Sequence, residues 1–161
     1  MEHDVAALFD ESVRLELIVS DAYHLFWRLF PGDADFWWRL ALEEMNHAAL
    51  LRSGKELFQP ADCFPRHLLC PCLDELRQTS GDLLELMQQF KITPPSRLEA
   101  LNIAFELEKS VSEQHFQQFM EGEANSSIAK VFQQLNKDDK DHAQRISSYL
   151  KQRSLSVNSF T

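Results

Sequence analysis

Leu40-Ala41-Leu42-Glu43-Glu44-Met45-Asn46-His47-Ala48 returns late in the chain as Leu135-Asn136-Lys137-Asp138-Asp139-Lys140-Asp141-His142-Ala143. Each copy carries two adjacent acids, the second of them three residues before a histidine. A second repeat interleaves with the first: Leu15-Glu16-Leu17-Ile18-Val19-Ser20-Asp21 returns as Leu107-Glu108-Lys109-Ser110-Val111-Ser112-Glu113. The order along the chain is therefore carboxylate, carboxylate-x-x-His, carboxylate, carboxylate-x-x-His. On a helix, residues three or four apart share a face, so each acid and histidine of a pair point to a common centre.

The surrounding residues carry that helical period. Phe9, Val13, Glu16, Tyr23 and Phe26 form one stripe, and Trp37, Leu40, Glu44, His47 and Leu51 a second. Leu101, Phe105, Glu108, Ser112, His115 and Phe119 form a third, and Phe132, Leu135, Asp139, His142 and Ile146 a fourth. In each stripe an acid lies among apolar residues, where an unpaired charge is costly. Four inward acids carry a charge of about −4, which two divalent cations cancel; carboxylate with imidazole suits iron or manganese. Each pair alone is read more simply as surface residues of a helix. Asp21-x-x-His24 has the same spacing, yet His24 lies roughly 80° around its helix from Glu16, at about 100° per residue, and reads as a flanking residue. The one-set-per-helix order is what argues for a site.

Helix boundaries follow from punctuation. The first helix is expected from Asp4 to Phe30, stopped by Pro31-Gly32. Asp33 or Asp35 can cap a second running to about Phe58. A third opens at Thr93-Pro94-Pro95 or at Ser96-x-x-Glu99, a capping-box pattern, and ends near Gly122. Asn125-Ser126-Ser127 offers caps for a fourth, to about Leu150, with a polar tail from Lys151. Short turns make helices 1 and 2, and then 3 and 4, antiparallel neighbours. The crossover between the hairpins, Gln59 to Ile92, is too long for a structureless loop. Leu83, Leu84, Leu86, Met87 and Phe90 give it a short helix. The expectation is an all-α fold: one antiparallel four-helix bundle over residues 1–153 with crossover 59–92, then a tail over 154–161.

Composition agrees. The 161 residues suit one domain, with 44% hydrophobic residues, 12 Phe and 3 Trp to fill a core and only 4 Gly. No strand-like alternation is sustained. A net charge of −9 argues against phosphate backbones and anionic membrane surfaces as partners. No apolar run approaches the roughly 20 residues that span a bilayer. Met1-Glu2-His3-Asp4 is acidic where a secretory signal is basic, and an odd count of 3 Cys fits a reducing, cytoplasmic setting. Cys63, His67, Cys70 and Cys72 fall within one run, but their spacing fits no common zinc module and idle thiols are the better reading. Trp27, Trp37 and Trp38 flank the first turn as core or dimer-interface anchors.

Glu16 with Tyr23 two turns on, Glu44-x-x-His47, Glu108 and Leu135-x-x-x-Asp139-x-x-His142 together resemble the rubrerythrin-type branch of the ferritin-like superfamily. The resemblance covers the four bundle helices. It implies a ferritin-like bundle around a carboxylate-bridged pair of iron ions, with manganese or zinc as alternatives. The ligands it implies are Glu16, Glu44, His47, Glu108, Asp139 and His142, with Glu44 and Asp139 bridging and Tyr23 serving the chemistry. The implied activity is a non-haem di-iron oxidoreductase of peroxidase or ferroxidase type, often a homodimer. The chain departs from the family in three places. Asp139 stands where Glu is usual. Val111 stands where peroxidase-type members carry a further Glu. His115 matches Tyr23 in the repeat, where Tyr is common, and is either a second-layer hydrogen-bonding group or simply packed. The two Cys-x-x-Cys pairs of a rubredoxin module are missing, so an electron donor would be separate. The alternative is a non-catalytic metal-binding or structural bundle with a partly decayed site.

Overall fold

A computed structural model describes residues 2–65, 68–110, 117–135 and 142–157. His67, Val111, His115 and Asp139 lie outside these. The described residues contain helices and no strand: α1 (Glu2–Leu29), α2 (Ala34–Ser53), α3 (Leu73–Ile92), α4 (Arg97–Leu107), α5 (Ser127–Leu135) and α6 (His142–Val157), with further helical residues at 117–121. None of these helices is long and apolar enough to cross a membrane.

α1 ends where Pro31 removes a donor, and the 3-10 turn Pro31–Asp33 reverses the chain into α2. The two helices run antiparallel. Trp38 of α2 meets His24 of α1, the Ser20 hydroxyl donates to the Ala41 carbonyl, and His47 lies beside Glu16, so numbers fall on one helix as they rise on the other. α3 packs on α1, and α4 on α6.

Asp33 does not cap α2 through its side chain. Its buried carboxylate instead accepts both Arg97 bonds, at 2.5 and 2.6 Å, and the Tyr149 hydroxyl, with Arg153 3.4 Å away. A two-oxygen acceptor facing a guanidinium fork is worth more than one exposed cap bond. This knot ties the first turn to the starts of α4 and the end of α6. The stack of Phe36 on Tyr149, centroids 4.1 Å apart, reinforces it.

The crossover helix is longer than expected. α3 spans 20 residues because the stripe of Leu76, Ser80 and Leu83 begins directly after the Cys-Pro-Cys72 run, with Asp74 and Glu75 in the first turn. α4 opens at the Ser96 capping box, as the Ser96-x-x-Glu99 alternative expects. It does not continue unbroken to Gly122. The α-helix stops at Leu107, and Lys109 and Ser110 bond back only three residues. Ser126 caps α5 through Ala129 N at 3.0 Å. α6 runs to Val157, past the expected end near Leu150 and into the expected tail.

The apolar interior falls into two clusters. One gathers Leu15, Val19, Tyr23, Phe26, Trp37, Leu40, Leu76, Leu101, Ala104 and Ile146. The other gathers Phe9, Leu51, Phe64, Leu68, Leu69, Phe119, Ala129 and Phe132. Trp37 is the fully buried member of the three tryptophans, whereas Trp27 and Trp38 are exposed. In the second cluster the Phe64 ring lies on Gly54, in the π-helical turn Gly54–Phe58 that extends α2. An added Cβ would overlap that ring, which Phe9 and Phe132 hold in place. Gly54→Ala gains up to about 1 kcal/mol of helix propensity. Overpacking costs about 1–3 kcal/mol and outweighs it. The variant should unfold at lower urea concentration with an unchanged m-value.

Candidate metal centre

α1, α2, α6 and the end of α4 deliver polar residues between the two apolar clusters. Glu16 lies between Phe9 and Val19 on α1, and Glu44 and His47 lie between Leu40 and Leu51 on α2. Glu108 follows Ala104 at the end of α4, and His142 opens α6 ahead of Ile146. Five of the six expected ligands therefore meet in one layer, and the sixth, Asp139, lies outside the described residues. Glu44, His47, Glu108 and His142 are buried, and the Glu16 side chain retains 13% exposure.

The layer contains two overlapping groups, Glu16-Glu44-His47 and Glu44-Glu108-His142, each with one ligand atom per residue and all three within 4.8 Å of one another. Glu44 belongs to both. Its Oε2 lies 3.3 Å from His47 Nδ1 and its Oε1 lies 3.3 Å from His142 Nδ1. His142 Nδ1 is also 3.0 Å from Glu108 Oε2, and His47 Nδ1 is 3.8 Å from Glu16 Oε2. The two imidazoles stack with centroids 5.4 Å apart. Glu44 Oε1 is buried without a hydrogen bond, an acceptor with capacity left.

Protons carry the positive charge here. Burial alone would lower the pKa of both histidines, but neighbouring carboxylates overcome it. His142 is pushed up to about 10 by Glu108 and Glu44, and His47 stands well above its usual value through Glu44 and Glu16. Glu16 is raised well above the carboxylate range by burial, which the Glu44 charge reinforces, and Glu108 is raised for the same two reasons. Burial also acts to raise Glu44, yet the two histidines outweigh it and hold this carboxyl far below the usual range.

Tyr23 reaches the layer as the repeat suggests. Its buried hydroxyl donates to Glu108 Oε1 at 2.5 Å, leaving Oε2 toward His142. Glu43 had no role in the sequence reading and acquires one. Its Oε2 lies 3.2 Å from His142 Nε2, and Arg145 grips it at 2.9 and 2.5 Å, with Arg39 Nε at 3.1 Å. The contact is electrostatic, since His142 Nε2 makes no hydrogen bond among the described residues. The signal was the adjacent Glu43-Glu44 pair with a basic residue three past His142.

Other candidates stay outside. His24 packs edge-on to Trp38. Cys63 is exposed, Cys70 buried and Cys72 half-buried, all as free thiols, and they join no metal-like group among the described residues. A small cavity of about 20 Å³ borders the layer, lined by Leu15, Glu16, Val19, Glu44, Leu107, Glu108 and Ser110. Comparison of the chain with protein-family models, with curated proteins and with solved structures gives no match in any of the three.

Proposed function

We propose that the chain is a rubrerythrin-like di-iron protein. It is a ferritin-like four-helix bundle whose residues Glu16, Glu44, His47, Glu108, Asp139 and His142 hold two iron ions for oxidoreductase chemistry on peroxide or O₂. The observation that carries this reading is the position of Glu44, one oxygen toward each histidine and a member of both ligand groups. The antiparallel α1–α2 pair and the α4–α6 contact support two hairpins. The donor set fits the metal: buried carboxylates, imidazole Nδ1 atoms turned toward them, and an acceptor oxygen without a hydrogen bond.

Bound there, an iron pair supplies the two electrons that reduction of peroxide or O₂ takes up. The chain's part is positional. Tyr23 holds Glu108 by one oxygen and brings a phenolic proton to the layer. Glu43, gripped by Arg145, sets a carboxylate 3.2 Å from His142 Nε2. Glu44, His47, Glu108 and His142 are buried, and Glu16 keeps an edge toward solvent. The adjoining cavity holds about one water-sized molecule, which suits a small oxidant and not an organic substrate. The reading carries two partners, a separate electron donor and a second copy of the chain.

Anaerobic Fe(II) titration should saturate near two ions per chain. Affinity should rise with pH, because ions at Nδ1 displace protons that both raised histidines hold at neutral pH. The sign is fixed: each displaced proton adds up to about tenfold in affinity per pH unit while pH stays below the pKa of the metal-free site. Titrations at about pH 6, 7 and 8 that superimpose would overturn ligation by these imidazoles. A metal-free structural bundle is the second reading, favoured by the way protonated histidines already balance the carboxylates. It requires no metal uptake at any pH, and Glu16→Leu would then raise stability.

A further inference from the structure

Both tyrosines of the chain donate their hydroxyl to a buried carboxylate, and a line of rings joins them. Tyr23 on α1 donates to Glu108 at 2.5 Å, and Tyr149 on α6 donates to Asp33. Between them lie two consecutive residues of α2. Trp37 sits 5.9 Å from Tyr23 and 5.1 Å from Phe36, centroid to centroid. Phe36 stacks on Tyr149 at 4.1 Å, with the ring planes 8° apart. Tyr23 and Trp37 are wholly buried. Phe36 and Tyr149 are half-buried and line an open cleft of about 660 Å³ between α2 and α6, beside Arg39, Gln144 and Ser148. The line of rings therefore runs from the carboxylate layer to solvent.

Packing accounts for rings at these positions but not for their chemistry. Trp37 Nε1 is buried and has no hydrogen-bond partner among the described residues. Phenylalanine would fill an apolar site there without an orphaned donor, and an orphaned donor in a native core marks strain or a redox or catalytic role. Indole and phenol are the ring side chains that give up one electron most readily. A phenol gives up its proton at the same moment, so it needs a base within hydrogen-bond reach. Each tyrosine has one, whereas the indole passes the charge on without losing a proton.

We propose that Tyr23, Trp37, Phe36 and Tyr149 form a one-electron relay that draws oxidising equivalents out of the layer to the cleft. The relay rests on the di-iron reading of that layer. Peroxide takes up two electrons and two protons to become two waters. A layer that supplies one electron leaves the other owing. Tyr23 supplies it, and its proton passes to Glu108. Trp37 gives an electron to Tyr23, which recovers that proton. Tyr149 gives an electron to Trp37 through the Phe36 ring, and its proton passes to Asp33. A soluble one-electron reductant of the thiol or ene-diol class, entering the cleft, restores Tyr149, and the proton returns from Asp33. The net transfer is one electron from reductant to peroxide, with every side chain left as it began and the buried histidines spared.

Conduction along the rings needs no metal. In metal-free Trp27→Phe with Trp38→Phe, Trp37 is the remaining one of 3 tryptophans. A flash that tryptophan absorbs and tyrosine does not ejects an electron from Trp37, and dissolved O₂ takes it up. Tyrosyl absorbance should grow as tryptophanyl absorbance decays. Adding Tyr23→Phe and Tyr149→Phe together should prolong the tryptophanyl signal at least tenfold and remove that growth. With Tyr23→Phe alone the electron comes from Tyr149, and Phe36→Leu should then slow the transfer at least tenfold with unchanged far-UV circular dichroism. In the iron-loaded chain, excess peroxide should give a tyrosyl electron paramagnetic resonance signal that ascorbate removes and Trp37→Phe lowers at least tenfold. Tryptophanyl decay that is equally fast with both tyrosines replaced overturns the relay, as does a peroxide-induced signal undiminished in Trp37→Phe. Iron uptake without transfer along the rings overturns the relay alone. Transfer in a chain that takes up no iron upholds the conduit and overturns the metal reading.

Discussion

Glu44→Gln is expected to abolish both metal-binding events at once. Glu44 is the residue common to the two candidate groups, with an oxygen 3.3 Å from each histidine Nδ1. The amide keeps the volume of the carboxylate and removes its charge and half its acceptor capacity, so the helices stay packed while the layer loses the carboxyl that its histidines hold most acidic among the described residues. Loss of an outer-layer partner typically costs 10–100-fold in metal affinity, so loss of a shared ligand should cost at least ~100-fold at both positions. Glu16→Gln and Glu108→Gln should each remove one binding event, because each belongs to a single group. Co(II) titration followed by visible absorption reads this pattern directly. Two events retained in Glu44→Gln, or one lost, would show that the two positions do not share this carboxylate.

The largest stability effect outside the metal layer is expected from Arg97→Ala. Asp33 is 3% exposed, and Arg97 meets both of its oxygens. Removing one partner of a buried pair costs about 3–5 kcal/mol. Arg97 keeps contact with water, and Tyr149 and Arg153 remain near the carboxylate, so about 2–3 kcal/mol is the expected loss at pH 7. The pH dependence has a definite sign. Burial acts to raise the Asp33 pKa, but Arg97 and Tyr149 prevail and it lies below its usual value. The knot therefore contributes above the ordinary aspartate pKa and is lost as pH falls through the lowered one. Wild type and Arg97→Ala should converge in stability as the solution is acidified toward pH 2–3. Urea titrations at pH 7 and at acid pH that give the same difference would place the effect elsewhere.

Much of this arrangement was legible in the residues. The 3.6-residue stripes and the Pro31-Gly32 stop define α1 and α2, and the repeat selected Glu16, Glu44, His47, Glu108 and His142, which the fold brings into one layer. Spacing suffices here because an acid inside an apolar stripe has one inexpensive solution, a shared centre with other inward polar groups. What escaped depended on long-range partners. Asp33 reads as a cap, since its neighbours in sequence offer nothing better, and Arg97 lies 64 residues away. Glu43 reads as an ordinary acid until Arg145 and His142 meet it across 102 and 99 positions of chain. The start of α3 was hidden because Leu73, Leu76 and Ser80 make a sparse stripe with a polar member inside it. The interruption after Leu107 has no proline or glycine to announce it. It coincides with Glu108, the carboxylate that Tyr23 holds.

The division of the interior into two apolar bodies has a thermodynamic consequence. The layer between them is filled by carboxylates beside histidines whose affinity for protons is raised, and alkali takes those protons away. α1 and α2 run through both bodies and Leu8 touches each, so the molecule should melt as one block, with a midpoint that falls as the solution turns alkaline and the histidines are neutralised.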